Sequence, residues 1–113
     1  MDNIEKQDII KRVTAQESII IIREEAEKIY KSFDAEQCWD YAMEFYKSER
    51  IQVQEIAVFL LGYISSKNLK SLHFLKETAS QNSDWRVQEI LAMAFDYYCK
   101  SIGYDKALPV IEE

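Results

Sequence analysis

Two glutamates, Glu55 and Glu89, occupy the same place in a tetrapeptide that the chain contains twice. Val-Gln-Glu-Ile spans residues 53–56 and again residues 87–90, at an offset of 34 residues. A carboxylate can act as a general acid, as a general base or as the group that stabilises a cation. Residues that recur with a structural unit, however, commonly support the stacking of units. We therefore expect a helix-surface or inter-repeat polar contact, with the chemical role as the alternative.

Trp85 and Arg86 form a second candidate pair, directly before the second copy of the tetrapeptide. A tryptophan beside an arginine could stack on a base or a sugar while the guanidinium contacts a phosphate. The other interpretation is structural, and we favour it: Trp85 wedges between helical hairpins and Arg86 pairs with Asp84 or with the neighbouring repeat. The functional interpretation places the pair at a helix N-terminus, where the helix dipole would assist phosphate binding.

Four lysines near turns or on the second helices of the units could contact a DNA backbone along one edge of a stack: Lys67, Lys70, Lys100 and Lys106. The chain has a formal net charge of −6, most of which arises from residues 1–49. Scattered cations on such a chain are also typical of an ordinary solvated surface, which is the interpretation that we favour. On charge alone, tight DNA binding is not expected.

Several kinds of chemistry are excluded by composition. His73 is the sole histidine, and the two cysteines are far apart, so we expect no metal site and place His73 on a helix surface. No phosphate-binding loop, dinucleotide-binding glycine motif or nucleophile elbow occurs, so we expect no cofactor. Cys38 and Cys99 are expected to be buried, reduced thiols in a cytoplasmic protein. The longest strongly apolar run, residues 19–22, is too short to span a membrane.

Helical periodicity and capping signals divide the chain into helices that would position these residues. A short amphipathic stretch covers residues 1–13, and Thr14 with Glu17 resembles a capping box for a helix that ends near Phe33. Asp34 with Gln37 predicts the next helix start. Further helices are predicted over residues 51–64, 69–79, 85–101 and 105–113, with Ser83 or Asp84 as a cap and Gly103 as a helix end.

The 34-residue offset indicates stacked helical units. We predict one all-α domain over residues 1–113, an α-solenoid of antiparallel helical hairpins. N-terminal helices would fill residues 1–49, and repeats would fill residues 50–82 and 83–113. Tetratricopeptide repeats have a similar period, but neither copy follows their order of Trp, Leu-Gly, Tyr, Ala and Pro. HEAT-like repeats, which need apolar stripes and a polar turn, fit better.

The segment Asp84-Trp85-Arg86-Val87-Gln88-Glu89-Ile90-Leu91-Ala92-Met93-Ala94-Phe95-Asp96 resembles the HEAT-like-repeat DNA alkylation repair proteins, the AlkD-like DNA glycosylases. The likeness extends back through residues 52–63 and 23–26 and corresponds to the N-terminal half of such a protein. It implies a curved, right-handed stack of helical pairs that holds duplex DNA on its concave surface. It also implies excision of positively charged alkylated purines without a metal.

One departure from that family matters for function. Its members are considerably longer, and the residues that surround the lesion come mainly from repeats that would follow Glu113, so the resemblance assigns no catalytic residue here. We expect this chain alone to be inactive as a glycosylase. The apolar residues near its end, Leu108, Val110 and Ile111, indicate either a fragment or a helix that packs on a partner or on a second copy. The alternative function is a non-enzymatic protein-interaction scaffold.

Overall fold

A computed structural model describes residues 1–16, 18–103, 105–107 and 109. Six α-helices follow one another: α1 (Asn3–Gln16), α2 (Ile19–Ser32), α3 (Ala35–Tyr46), α4 (Ile51–Ile64), α5 (Leu69–Glu77) and α6 (Trp85–Ile102). A short 3-10 helix, Ala79–Gln81, lies between α5 and α6. No strand occurs in these ranges, so the all-α prediction is confirmed.

Three of the helices, α2, α4 and α6, form one layer in which neighbours run parallel. Tyr63 of α4 and Tyr97 of α6 have ring centroids 4.9 Å apart, and the hydroxyl of Tyr63 donates to Glu27 of α2 over 3.4 Å. Tyr63 and Tyr97 are themselves 34 residues apart, so the offset in the sequence is also the register between α4 and α6. Equivalent positions of the repeat therefore lie side by side.

Helix α4 is the centre of the molecule. It is apolar on all sides, as a helix must be when neighbours surround it, and almost all of its residues from Val53 onward are buried. Each of the other five α-helices packs against it, most extensively α3 and α6. Helix α4 approaches α6 closely at Gly62, where an added Cβ would lie 2.7 Å from the Cβ of Ala94. The absence of a side chain there allows the two parallel helices to pack tightly.

The predicted start of α3 is confirmed in detail. Asp34 is its N-cap: the carboxylate Oδ1 accepts a hydrogen bond of 2.8 Å from the backbone N–H of Gln37. In return, the backbone N–H of Asp34 donates to the side-chain Oε1 of Gln37 over 3.1 Å. These reciprocal bonds satisfy amide donors that the first helical turn leaves without an acceptor.

Loss of this cap gives a first testable prediction. We expect Asp34→Ala to lower the free energy of unfolding by about 1 kcal/mol, because it removes the acceptor for an amide at the helix start. Urea denaturation followed by circular dichroism would measure the change. Asp40→Ala, on the exposed face of the same helix, is the matched control and should stay within about 0.5 kcal/mol of the parent. Equal losses in both variants would contradict the capping role.

The start of α2 differs from the prediction. Thr14 does not cap a helix, because α1 continues through Gln16 and the Thr14 hydroxyl donates to the carbonyl oxygen of Ile10 over 2.7 Å. Ser18 is the N-cap of α2, while Glu17 lies outside the described residues. A threonine hydroxyl can bond back to the preceding helical turn as well as forward to a new one, and the sequence does not distinguish the two.

One partly buried ion pair joins α1 to α2. Arg12 donates from Nε to Glu25 over 2.9 Å, and Lys28 lies 3.4 Å from the same carboxylate. Burial would raise the pKa of Glu25, but the hydrogen bond and the charges of Arg12 and Lys28 outweigh it and hold that pKa below its ordinary value. The carboxylate thus stays ionised and ties the first two helices together.

The C-terminal part of the chain is described only to a limited extent. Helix α6 ends at Gly103, which has a φ of 92°, as predicted for a glycine at a helix end. The predicted helix over residues 105–113 lies largely outside the described residues, although 105–107 are helical. Cys38 and Cys99 are buried, unpaired thiols, as expected. None of the described helices is long and apolar enough to cross a membrane.

Candidate nucleic-acid interface

The N-terminal ends of the three parallel helices border an open cleft of about 300 Å³, here called the N-end cleft. It is lined by Ile19 from α2, by Gln52 and Glu55 from α4, and by Trp85, Arg86 and Glu89 from α6. The parallel register explains this composition, since residues at equivalent repeat positions reach the same end of the layer. Both glutamates of the repeated tetrapeptide therefore meet at one place.

Trp85, the first residue of α6, is 71% exposed. Our expectation that it wedges between hairpins is wrong, because Val87, Ile90 and Leu91 supply the buried face of α6 and the indole lies outside that face. Exposure of so large an apolar surface costs free energy unless something covers it. An indole in this position is available to stack on a flat ligand.

Arg86 is oriented by its neighbour. The guanidinium of Arg86 donates from Nε and Nη2 to the two carboxylate oxygens of Asp84, over 3.3 and 3.2 Å. Asp84 is also the N-cap of α6 and accepts from the backbone N–H of Arg86 over 2.9 Å. These bonds lower the pKa of Asp84, so its carboxylate stays ionised. The predicted Asp84–Arg86 pairing is confirmed, and it fixes one cation at the rim of the cleft.

Glu55 is the unusual member of this group. It is only 4% exposed, and the charged groups that act on its carboxyl belong to α6 or to the cap of α6. Burial raises the pKa of Glu55 to about 7; Arg86 opposes this rise, while Asp84 and Glu89 add to it. Near neutral pH the carboxyl is therefore present in both its neutral and its ionised form.

The two glutamates thus differ from each other. A helix-surface position is observed for exposed Glu89, whereas Glu55 is buried and interacts electrostatically with charged groups of the next repeat. The signal that distinguishes them is the environment of their helices. Glu55 lies on α4, which is mostly apolar and enclosed by neighbours, whereas Glu89 lies on an exposed side of α6. Repetition of the tetrapeptide reveals their shared location but not this difference.

Two of the predicted lysines lie at the other end of the layer. Lys67 follows the end of α4, and its Nζ is 3.4 Å from the hydroxyl of Tyr30. Lys70, near the start of α5, pairs with Glu36 over 3.1 Å and lies over the ring of Trp39 at 5.2 Å. Both ammonium groups therefore contact α2 or α3 rather than the N-end cleft.

The other two predicted lysines lie at the C-terminal side of α6. Lys100 pairs with Asp96 over 2.8 Å, and Lys106 is exposed beyond Gly103. A helix rises about 1.5 Å per residue, so Lys100 lies roughly 20 Å along α6 from Trp85. The structure brings together Trp85 and Arg86 and leaves the four lysines on a distant part of the surface.

A larger cleft of about 580 Å³, here called the central groove, continues along the same layer toward these lysines. Its walls are Arg23 and Glu27 of α2 and a run on α6 from Ala92 to Lys100; Phe59, Gly62 and Tyr63 of α4 complete its lining. Burial raises the pKa of Tyr63 well above its ordinary value, and the charge of Glu27 adds to the effect. The phenol therefore stays neutral and serves as a hydrogen-bond donor.

The N-end cleft combines three kinds of group that nucleic-acid sites use. An exposed indole can stack on a base, an oriented guanidinium can contact a phosphate, and a carboxyl can bond to a base edge or stabilise a cation. Within the described ranges, no group of three or more His, Cys, Asp or Glu side chains is placed to hold a metal ion. The cleft is thus the best candidate site on this surface.

Comparison with known proteins identifies two similar solved structures, both from Streptococcus mutans. The crystal structure of AlkD2 is 40% identical and superimposes with a TM-score of 0.82, covering 93% of this chain and 52% of that one. The crystal structure of smu.31 from strain UA159 is 42% identical, with a TM-score of 0.80 and coverages of 93% and 51%. No protein-family model and no curated protein matches the sequence. The chain thus spans about half the length of the structures that it resembles.

Proposed function

Because the chain is AlkD-like in sequence and in its HEAT-repeat fold over 93% of its length, we propose that it acts in DNA alkylation repair by contacting duplex DNA through the N-end cleft. Trp85 would stack on a base or sugar, and Arg86 would contact a backbone phosphate. The exposure of Trp85 is the observation that carries the proposal, because an exposed indole beside an oriented guanidinium supplies the stacking surface and the phosphate-binding group that nucleic-acid sites use.

The carboxyl groups of the cleft support a repair function rather than general DNA binding. Alkylation of a purine ring nitrogen gives the base a positive charge, and an ionised Glu55 or Glu89 beside Trp85 would favour such a base over a neutral one. The resemblance implies a DNA glycosylase. Since the chain spans about half of its similar structures, we expect it to bind without excising, and release of 7-methylguanine by this chain alone would contradict that expectation.

The charge of the chain limits the affinity that we expect. With a net charge of −6 and with the four candidate lysines away from the N-end cleft, the domain would make few phosphate contacts there. Lys67, Lys70, Lys100 and Lys106 would contribute only if the duplex extends along the central groove. We also propose that the protein works in the cytoplasm, where its two buried thiols stay reduced.

Fluorescence anisotropy of a labelled duplex tests this proposal. At low salt we expect binding that weakens about five-fold or more in Trp85→Ala, through loss of stacking. Arg86→Ala should also weaken binding and should reduce the salt dependence by about one phosphate contact, whereas Trp85→Ala should leave that dependence unchanged. Lys11→Ala removes an exposed cation on α1, away from the cleft, and serves as the charge-matched control. Binding that is absent at low salt, or equally affected by all three changes, would refute the proposal.

The central groove favours one alternative, a protein-interaction scaffold. Its aromatic and apolar lining and its mixed charges suit a peptide better than a phosphate backbone. Partial exposure of Tyr97 on its wall supports the same view. Self-association through the C-terminal helix also remains a proposal, but that helix lies largely outside the described residues. A domain that does not bind DNA would favour this scaffold function.

A further inference from the structure

Glu55 is a buried carboxyl that faces charged groups of the next repeat. Among the described residues, the charged groups that act on it are Arg86, Asp84 and Glu89, all on α6 or at its cap. From the other two helices that border the N-end cleft come the uncharged Ile19 and Gln52. Ionisation of Glu55 therefore adds a negative charge beside an arginine that already holds one carboxylate.

We propose that the proton on Glu55 sets the affinity of the N-end cleft for DNA phosphate, with the neutral form binding phosphate more strongly than the ionised form. This inference rests on the proposed function of the cleft. When Glu55 is neutral, a phosphate competes for Arg86 with the carboxylate of Asp84. When Glu55 is ionised, a second carboxylate in a poorly solvated position opposes the phosphate as well.

The buried position of Glu55 lets its proton influence DNA affinity near neutral pH. An exposed glutamate is ionised throughout the neutral range, but burial raises the pKa of Glu55 to about 7. Formation of the complex should then be accompanied by proton uptake, so affinity should fall as the pH rises through that value. Linkage also requires the reverse effect, namely that bound DNA raises the pKa of Glu55.

Anisotropy titrations at constant ionic strength, from about pH 5.5 to about pH 8.5, test the inference with an unmodified labelled duplex. We expect the parent to lose roughly three- to five-fold in affinity over this range, as expected for a charge interaction at a partly solvated site. Glu55→Gln should bind at all pH values as the parent does at low pH. Two controls should keep the pH dependence: Glu89→Gln, which removes an exposed carboxylate of the same cleft, and His73→Gln, which removes the sole histidine.

A second readout is independent of the affinity measurement. Titration of the Glu55 side-chain carboxyl by ¹³C nuclear magnetic resonance, assigned with Glu55→Gln, should show a higher pKa with the duplex bound than without it. If Glu55→Gln binds DNA with the same pH dependence as the parent, the role of the Glu55 proton is overturned but the proposed function stands. The same holds if DNA binds but the pKa of Glu55 does not change. Failure of the parent to bind at any pH would overturn both.

Discussion

Replacement of Glu55 by glutamine is expected to stabilise the protein, and the gain should be larger at pH 8 than at pH 5 by about 2 kcal/mol. The folded chain holds the pKa of Glu55 at about 7, whereas an unfolded glutamate has its ordinary value of about 4.3. Between these values the native state binds more protons than the unfolded state, so the free energy of unfolding falls as the pH rises. Glutamine has a similar shape and does not ionise. The variant therefore does not lose free energy of unfolding in this way as the pH rises.

Urea denaturation of the parent and of Glu55→Gln at both pH values measures the effect. Glu89→Gln is the matched control, because it removes a carboxylate from the same cleft at an exposed position, where the stability should change by no more than about 0.5 kcal/mol. An equal gain at pH 5 and pH 8 would show that packing, rather than ionisation, governs the substitution. A variant that is more stable but binds DNA differently would indicate that Glu55 is retained for function.

Gly62→Ala is expected to destabilise the protein by about 1 to 3 kcal/mol, although alanine is the better helix former. The added Cβ would lie 2.7 Å from the Cβ and 2.9 Å from the Cα of Ala94, and a backbone atom cannot move aside as a flexible side chain can. Helices α4 and α6 would have to separate where both line the central groove. The steric cost should exceed the gain of about 1 kcal/mol in helix propensity.

A double-mutant cycle with Ala94→Gly tests this close approach. If the contact causes the loss, Gly62→Ala should cost less in the Ala94→Gly background than in the parent, with a coupling of at least about 0.5 kcal/mol. Thermal unfolding monitored by circular dichroism provides the four free energies. Additive effects, or a stabilised Gly62→Ala single variant, would show that the two helices are not packed as closely as described.

The sequence alone was sufficient for most of the fold, because local signals and tertiary packing agree. The predicted range 51–64 coincides with α4, and the reciprocal bonds of Asp34 and Gln37 follow from a capping pattern with few alternatives. Thr14 misled the prediction because a hydroxyl that can cap a new helix can also bond within the previous one. In the folded chain α1 continues past Thr14, and the bond within α1 is the one that forms.

The candidate site was less predictable, because its members come from three helices. Residue types identified Trp85 and Arg86, and repetition identified Glu55 and Glu89, but the meeting of all four depends on the parallel register of α4 and α6. Burial of Glu55 depends further on enclosure of α4 by its neighbours. The four lysines, by contrast, do not meet at the cleft. Their proximity to turns in the sequence did not indicate where they lie on the surface.

The central position of α4 has a consequence for how the chain unfolds. In a long helical-repeat array each unit touches only its neighbours, and end units can unfold separately. Here α4 contacts each of the other five α-helices with described bounds, so separation of an outer unit exposes apolar surface of α4 at once. Unfolding should be a single cooperative transition. The amides of α4 should then exchange with solvent only through global opening and be the slowest in the molecule.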